Sequence, residues 1–443
     1  MRIRIPLKFR LTAEELACMG LFLYLIKSPI KTFLYYVLRT PAEVNSWIAI
    51  VLSYIPVILI LLAGKKRRAF LRFGCVLLCI FAICMLTYLF HPEYELWLFQ
   101  GEFNIWLAIF RPDMAPYLFL FICLIDDSGR LLNTLKWAGF VLLAYNVYKL
   151  VYAELVRGYW VATGVNRGVE GEYNLGFGYD VLLLFVLFSI LGKREGKRYY
   201  VLSAISLLCI LVAGSRGPLV GVGLVVLLQL WEYIRAKRPM QRMIWIGGFL
   251  VVFGLILFNL SSLLMGAGRF LQELGISSRT VEMLADGSYY TEDSGRSVIW
   301  GVAGDLIRTG GLFGHGIYGD RYEIARQTTL WIGYCHNIAL EILVDFGYLL
   351  GGIILAVMLY RIVRILRAPE SEWRSVYLIF LLSASQLIFS GSFWYISTFW
   401  GAIAADICWR EKCGAKETAS VRREAGGMRL YPVGPEQSGG RLV

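Results

Sequence analysis

Apolar positions in this chain fall into long blocks instead of the alternating or 3.6-residue patterns of half-buried elements. Twelve blocks are apolar enough to be read as helices crossing a membrane: roughly Ala13–Leu38, Val44–Ala63, Phe70–Phe90, Phe103–Ile125, Leu131–Tyr152, Leu175–Leu191, Tyr199–Ala213, Pro218–Ile234, Met243–Leu260, Val344–Tyr360, Val376–Ser390 and Phe393–Trp409. The pattern predicts an all-α fold, a polytopic membrane helical bundle of about twelve transmembrane helices. The first block is interrupted by Lys27-Ser28-Pro29-Ile30-Lys31. Pro29 ends or kinks a helix, so the helix is expected to stop near Ile26, leaving Ile30 to Leu38 along the outer surface. Lys27 and Lys31 then either snorkel or meet anionic head groups.

Between the blocks, four intervals with polar content share one side: Thr40 to Asn45, His91 to Glu102, Ala153 to Asn174, and Ser261 to Tyr334. The last is by far the longest and carries Arg269, Arg279, Arg296, Arg308, Arg321 and Arg326. Loops of such length rarely lack structure of their own. Ser297–Thr309 reads as a helix, with Val298, Val302, Leu306 and Ile307 at helical spacing, Ser294 or Ser297 as its cap, and Gly310-Gly311 as its stop. The predicted organisation is nine spans over residues 1–260, a large, partly helical extracytoplasmic (periplasmic) loop over 261–343, three spans over 344–409, and a disordered cytoplasmic tail over 410–443.

Composition narrows the class further. The chain has 443 residues, 58% hydrophobic and 17% charged, with a mean hydropathy of +0.61, too apolar for a soluble fold. A net charge of +12 invites a nucleic-acid partner, but its distribution excludes one. Basic residues gather in every second connector: Lys65-Lys66-Arg67-Arg68, Lys193-Arg194 with Lys197-Arg198, Arg235 with Lys237-Arg238, Arg361 with Arg364 and Arg367, and the tail from Arg410. That is the positive-inside pattern. It predicts that both termini are cytoplasmic. Most of the nine cysteines sit inside apolar blocks, where they act as small hydrophobes, so no disulfide framework is expected. Met1 to Arg10 is basic, but no small-residue cleavage site follows it.

Two further stretches could carry chemistry. Gly214-Ser215-Arg216-Gly217-Pro218 joins two blocks with almost no room for a loop, so it is expected at or below the outer membrane surface. Pro218 suits the first position of the next helix, and an arginine beside a helix N-terminus is a place for a phosphate. The alternative is a tight turn with a snorkelling arginine. Cys335-His336-Asn337 precedes Glu341, Asp345 and Gly347, and His336 is one of only three histidines. Its position fits either a satisfied interfacial residue or a proton acceptor with a near-neutral pKa. Glu341 stands five residues on, about 140° around an ideal helix, and need not share its face. No carboxylate cluster or histidine pair has metal-ligand spacing, so neither a metal nor any other cofactor is expected.

Together these residues carry a family resemblance. A Gly-Ser-Arg-Gly hinge between two spans is similar to the O-antigen ligase and O-antigen (repeat-unit) polymerase superfamily of bacterial inner-membrane glycosyltransferases. So is a large external loop with Gly295-Arg296 and Trp300, then the Gly314-His315-Gly316 turn, then His336-Asn337-Ile338-Ala339-Leu340-Glu341 leading to Gly347. His315 inside the turn has no counterpart in that pattern. The motifs run from Ala213 to Gly347, and the twelve-span layout extends the resemblance to most of the chain. The resemblance implies a metal-independent glycosyltransferase on the outer face of the cytoplasmic membrane, with a glycan on undecaprenyl diphosphate as donor. It implies that Arg216 and Arg296 bind the donor diphosphate, that His336 acts as base or diphosphate contact, and that Ser215, Asn337 and Glu341 support them. Inversion at the anomeric carbon is expected on the same ground. Guanidinium groups suit the task, because a diphosphate leaving group gathers negative charge.

The motifs do not separate two activities. A polymerase extends surface polysaccharide (O-antigen, capsule or exopolysaccharide) from lipid-linked repeat units, with membrane lipids around it and a chain-length regulator and a flippase as candidate partners. A ligase transfers the finished glycan to a lipid core or protein. A lipid-linked glycan transporter is a third reading, weakened because no inverted repeat is visible.

Overall fold

A computed structural model describes residues 11–101, 104–161, 170–171, 174–213, 216–273, 295–328 and 334–427. Its helices are α1 (Ala13–Leu25), α2 (Lys27–Leu38), α3 (Ala42–Leu62), α4 (Arg67–Phe90), α5 (Ile105–Phe110), α6 (Tyr117–Cys123), α7 (Ser128–Val151), α8 (Leu175–Arg194), α9 (Arg198–Val212), α10 (Arg216–Arg235), α11 (Pro239–Phe258), α12 (Leu260–Glu273), α13 (Arg296–Thr309), α14 (Gly319–Gln327), α15 (Ile338–Phe346), α16 (Gly352–Arg367), α17 (Glu372–Ser383) and α18 (Ser397–Gly427). A two-residue antiparallel pair, Trp160–Val161 with Glu170–Gly171, is the only β-structure among the described residues.

Among the described residues, six continuous helical stretches are long and apolar enough to cross a membrane: α3, α4, Ser128–Arg157, Gly176–Arg194, Gly217–Arg235 and Ile338–Arg367. The α1–α2 pair adds a seventh if its two halves, bent by 62°, count as one span. Twelve apolar blocks therefore do not become twelve long straight helices. The block Phe103–Ile125 splits into α5 and α6, because Pro112 and Pro116 stand in the Arg111–Pro116 break between them. The block Val376–Ser390 ends its α-helix at Ser383 and continues as a 3-10 turn over Ala384–Ile388. The break in the first block falls at Ile26, where the sequence expects it, but α2 then runs helical from Lys27 with Pro29 accepted in its first turn. The final helix runs on to Gly427, well into the segment from Arg410 expected to be disordered. Its Ala-, Glu-, Lys- and Arg-rich sequence favours a helix without needing a core. Residues 428–443 lie outside the described ones.

α8 is central. It packs against α7, α9, α10 and α17, and Val181, Leu182, Leu184, Val186, Leu187, Phe188 and Leu191 are all buried. All seven residues of α6 are buried as well. Outer helices do the opposite: Leu62 of α3 is 78% exposed, and Leu71 and Leu89 of α4 are likewise open. Apolar side chains turned outward over whole helices fit a lipid solvent.

The connectors sort by charge at the two ends of these helices. At one end Lys66 pairs with Glu14 and Asp126, Lys193 with Glu232 and Glu370, Arg194 with Glu372, and Arg374 with Glu232. At the other, the polar intervals meet: the Ile317 N–H donates to Thr87 Oγ1 at 3.2 Å, and the Tyr94 and Tyr322 rings lie 4.9 Å apart.

Candidate functional site

The long polar interval folds back onto the start of the Ile338–Arg367 helix. α13 begins at Arg296, and its N-cap is Gly295 with φ +75°, so the cap is neither Ser297, which lies inside the helix, nor Ser294, which is outside the described residues. Gly310 closes the helix as the sequence expects. Arg296 and Trp300 stand four residues apart, on one face of the helix. From that face the Trp300 indole Nε1–H donates to the Cys335 carbonyl at 3.0 Å.

The glycine-rich turn after α13 is fastened by main chain. His315 N–H donates to Val344 O at 2.8 Å, Gly316 N–H to Asp345 O at 3.0 Å, Tyr348 N–H to Gly311 O at 3.0 Å and Leu349 N–H to Leu312 O at 3.1 Å. Gly314 and Gly347 touch at the centre of this clasp. Both have positive φ, +76° and +69°. A Cβ on Gly314 would lie 2.4 Å from Gly347 N, and one on Gly347 would lie 2.3 Å from Gly314 N, so only glycine fits either position. His315 is a fastener too: its Nε2 bonds the Leu306 carbonyl at 2.9 Å, tying the turn to the end of α13.

α14 brings in a buried charge cluster. Arg321 is 5% exposed and donates through Nη1 to Asp320 Oδ1 at 2.6 Å, and through Nη2 to Glu341 Oε1 at 3.0 Å and Ser392 Oγ at 2.7 Å. Ser392 in turn donates to Glu341 Oε1 at 2.5 Å, and Asp320 Oδ2 accepts the Cys335 N–H at 3.2 Å. The guanidinium lies 3.8 Å from the centre of the Tyr318 ring, and the Tyr318 hydroxyl is hydrogen-bonded to that of Tyr395. Burial opposes the Arg321 charge, but Asp320 and Glu341 beside it hold its pKa well above the ordinary arginine value.

His336 sits between these two supports. Its φ is +49°, uncommon for a residue other than glycine, and its ring lies 3.9 Å from that of Tyr334. Burial, then the charges of Arg296 and Arg321, push its pKa down to about 4. Its Nδ1 is buried and has no hydrogen-bond partner among the described residues. Asn337 caps α15, with Oδ1 accepting from the Ala339 and Leu340 N–H groups, and its Nδ2 donates to Ile388 O at 3.0 Å. Glu341 is fully buried beneath Arg321. Asn337 and Glu341, two of the three residues expected to support the site, thus act here as a helix cap and as an ion-pair partner of Arg321.

The remaining predicted residues lie at the hinge. Ser215 falls outside the described residues, and of Arg216 only the backbone is described, as the first residue of α10. Pro218 is thus third in α10 instead of first, still within the turn that tolerates proline. Next to Arg216, Gly217 is pressed against Tyr179 of α8: an added Cβ would stand 1.8 Å from the tyrosine hydroxyl oxygen. Tyr179 is hydrogen-bonded to Ser390 and feels the charge of Arg296, so the hinge, α8 and the loop helix converge there. Sequence reading passed over Tyr179, Asp320, Arg321 and the Ser390-Gly391-Ser392 connector. That connector is a hub: Ser390 also bonds Tyr334, as does the Gly391 backbone, and Ser392 holds Arg321 and Glu341. Among the described residues, no group of three His, Cys, Asp or Glu could hold a metal ion.

A helical frame with lipid-facing apolar surfaces and a polar, arginine-bearing site built by a folded loop at one end defines a multi-pass membrane protein. Residues 201–356 match a family model described as O-antigen ligase. That segment, which contains the hinge, Arg296, His336 and Gly347, is similar to the O-antigen ligase family over its length. No curated protein matches the chain.

Proposed function

We propose that this protein is a metal-independent glycosyltransferase that polymerises undecaprenyl-diphosphate-linked repeat units into surface polysaccharide, on the outer face of the bacterial cytoplasmic membrane. The observation that carries the reading is His336. It is kept uncharged, feels the charge of Arg296, and has a buried ring nitrogen without a hydrogen-bond partner among the described residues. Such an atom is costly unless something bonds it, and a substrate hydroxyl would do so. In the proposed step the acceptor hydroxyl oxygen attacks the anomeric carbon while the bond from that carbon to the diphosphate oxygen breaks. His336 takes the hydroxyl proton, and Arg216 and Arg296 neutralise the charge left on the diphosphate. The family description and the site's position at the end opposite the basic connectors support this sidedness, with both termini in the cytoplasm and twelve crossings, several of them broken or short.

The family description, which names a ligase, favours a second reading: transfer of the glycan to a lipid core or protein acceptor. Purified protein incubated with an undecaprenyl-diphosphate repeat unit tests both. Chain extension without added acceptor supports the polymerase, and transfer only when a lipid core or protein is supplied supports the ligase. Arg216→Ala, Arg296→Ala and His336→Ala should each lower turnover by about 10²-fold or more. Full activity in all three removes the site assignment, and movement of the lipid across vesicles without transfer supports a transporter.

A further inference from the structure

A second cationic cluster lies where two broken elements meet. α1 stops at Leu25 and α2 turns away at Lys27, beside the Arg111–Pro116 break between α5 and α6. Lys27 Nζ donates to the Asp113 carbonyl at 2.5 Å and stands 4.2 Å from the centre of the Tyr24 ring. Lys31 Nζ is 3.6 Å from Asp113 Oδ2. Arg111 grips the same carboxylate with Nε at 2.6 Å and Nη2 at 2.8 Å. The Tyr24 hydroxyl donates to Met114 O at 2.8 Å and that of Tyr54 to Pro112 O at 2.7 Å, fixing the two breaks against each other. Close by, Lys27 and Lys149 of α7 act on the carboxylate of Asp180. Lys149 makes no ion pair among the described residues and lies over the Tyr145 and Phe177 rings.

Lys27, Lys31 and Arg111 thus gather on the single residue Asp113, and with Lys149 close by four cations face two carboxylates, Asp113 and Asp180. Snorkelling would carry the ammonium groups outward to water, yet Lys27 and Lys31 are drawn inward onto one short loop. Just past Lys31, α2 exposes Phe33, Tyr35, Tyr36 and Val37, an apolar face for lipid chains. We propose that this cluster binds the phosphate-bearing headgroup of a membrane-embedded lipid, at a site separate from that of Arg296 and His336. Consecutive residues of α8 stand between the two sites. Tyr179 is hydrogen-bonded to Ser390 and feels the charge of Arg296, while Asp180 feels those of Lys27 and Lys149, so the width of α8, on the order of 10 Å, stands between them. On the polymerase reading the headgroup is the diphosphate of the acceptor chain. That assignment rests on the reading, whereas the binding does not.

The test uses full-length protein in phosphatidylcholine nanodiscs, with lipid-bound states counted by native mass spectrometry as undecaprenyl diphosphate is titrated. Wild type should take up two equivalents. Lys27→Gln/Lys31→Gln should weaken one of them by about tenfold or more, the scale of lost charge-assisted hydrogen bonds, and Lys31→Arg should retain it. Lys149→Gln, which breaks no ion pair among the described residues, should weaken the same equivalent and serves if the double variant fails to fold. Unchanged binding in the folded double variant and in Lys149→Gln overturns the proposal. Displacement of this equivalent by phosphatidylglycerol at equal concentration supports the site but makes its occupant a phospholipid, not an acceptor. Arg296→Ala should remove the other equivalent. If it does not, the donor-site reading fails and the headgroup site stands.

Discussion

The indole N–H of Trp300 holds the carbonyl of Cys335, 3.0 Å away and thirty-five positions later in the chain. It is the direct tie between the helix that carries Arg296 and the residue next to His336. Trp300→Phe keeps the ring and removes the donor, leaving that carbonyl short of a partner. The expected cost to stability is about 1 kcal/mol. Because the tie sets the distance between Arg296 and His336, kcat should fall by about tenfold with little change in KM. Melting and steady-state transfer measured on the same preparation separate the two effects.

Removing Arg321 leaves Asp320 and Glu341 buried without their shared cation. Arg321→Met should cost roughly 3–5 kcal/mol, the scale of a broken buried ion pair, and chemical unfolding in detergent measures it. Arg308→Met is the control. Arg308 is exposed and paired with Asp305 one turn away, and its loss should shift stability by less than about 1 kcal/mol.

Gly347→Ala and Gly311→Ala contrast two glycines of one clasp. Both have positive φ, but an added Cβ at 347 meets backbone atoms at 2.3 to 2.6 Å, while at 311 it meets nothing within 4 Å. Gly311→Ala should cost about 1–2 kcal/mol from backbone strain alone. Gly347→Ala should cost clearly more and abolish transfer, because the turn can no longer seat. Equal losses in a thermal melt would count against this account of the clasp.

Acid should act through His336. Its ordinary value of 6.5 is lowered to about 4 in the folded protein, so between those values the unfolded chain binds the extra proton. The associated stability is complete above pH 6.5 and is lost as pH falls through 4. Unfolding measured at pH 7 and pH 4.5 should show wild type losing about 1–3 kcal/mol more than His336→Gln over that interval. A bound diphosphate reverses part of the shift, so substrate analogue should shrink the difference.

Much of this was legible in the sequence, and what was not has identifiable causes. The loop helix from Arg296 to Gly310 and the break at Ile26 follow from residues with strong local signals: a glycine stop and a proline. Arg321 could not be told from Arg308 or Arg326, because burial is a tertiary property and all three sit in equally polar stretches. Tyr179 lies in an apolar block, where an aromatic residue reads as core. Ser390-Gly391-Ser392 is too short to show any period. The split of Phe103–Ile125 had a visible sign in Pro112 and Pro116, outweighed by the mean hydropathy of the block around them.

The clasp between residues 310–316 and 344–349 is made by backbone donors and acceptors, and its strictest side-chain requirements are glycines, at 314, 316 and 347. Loop side chains at its periphery, such as the exposed Leu312 and Phe313, are free to be replaced without unseating the turn. A library randomised at such positions should yield a high fraction of folded enzymes. On the glycosyltransferase reading, the surface such positions present to the substrate can then be re-engineered while the anchoring of His336 is inherited unchanged.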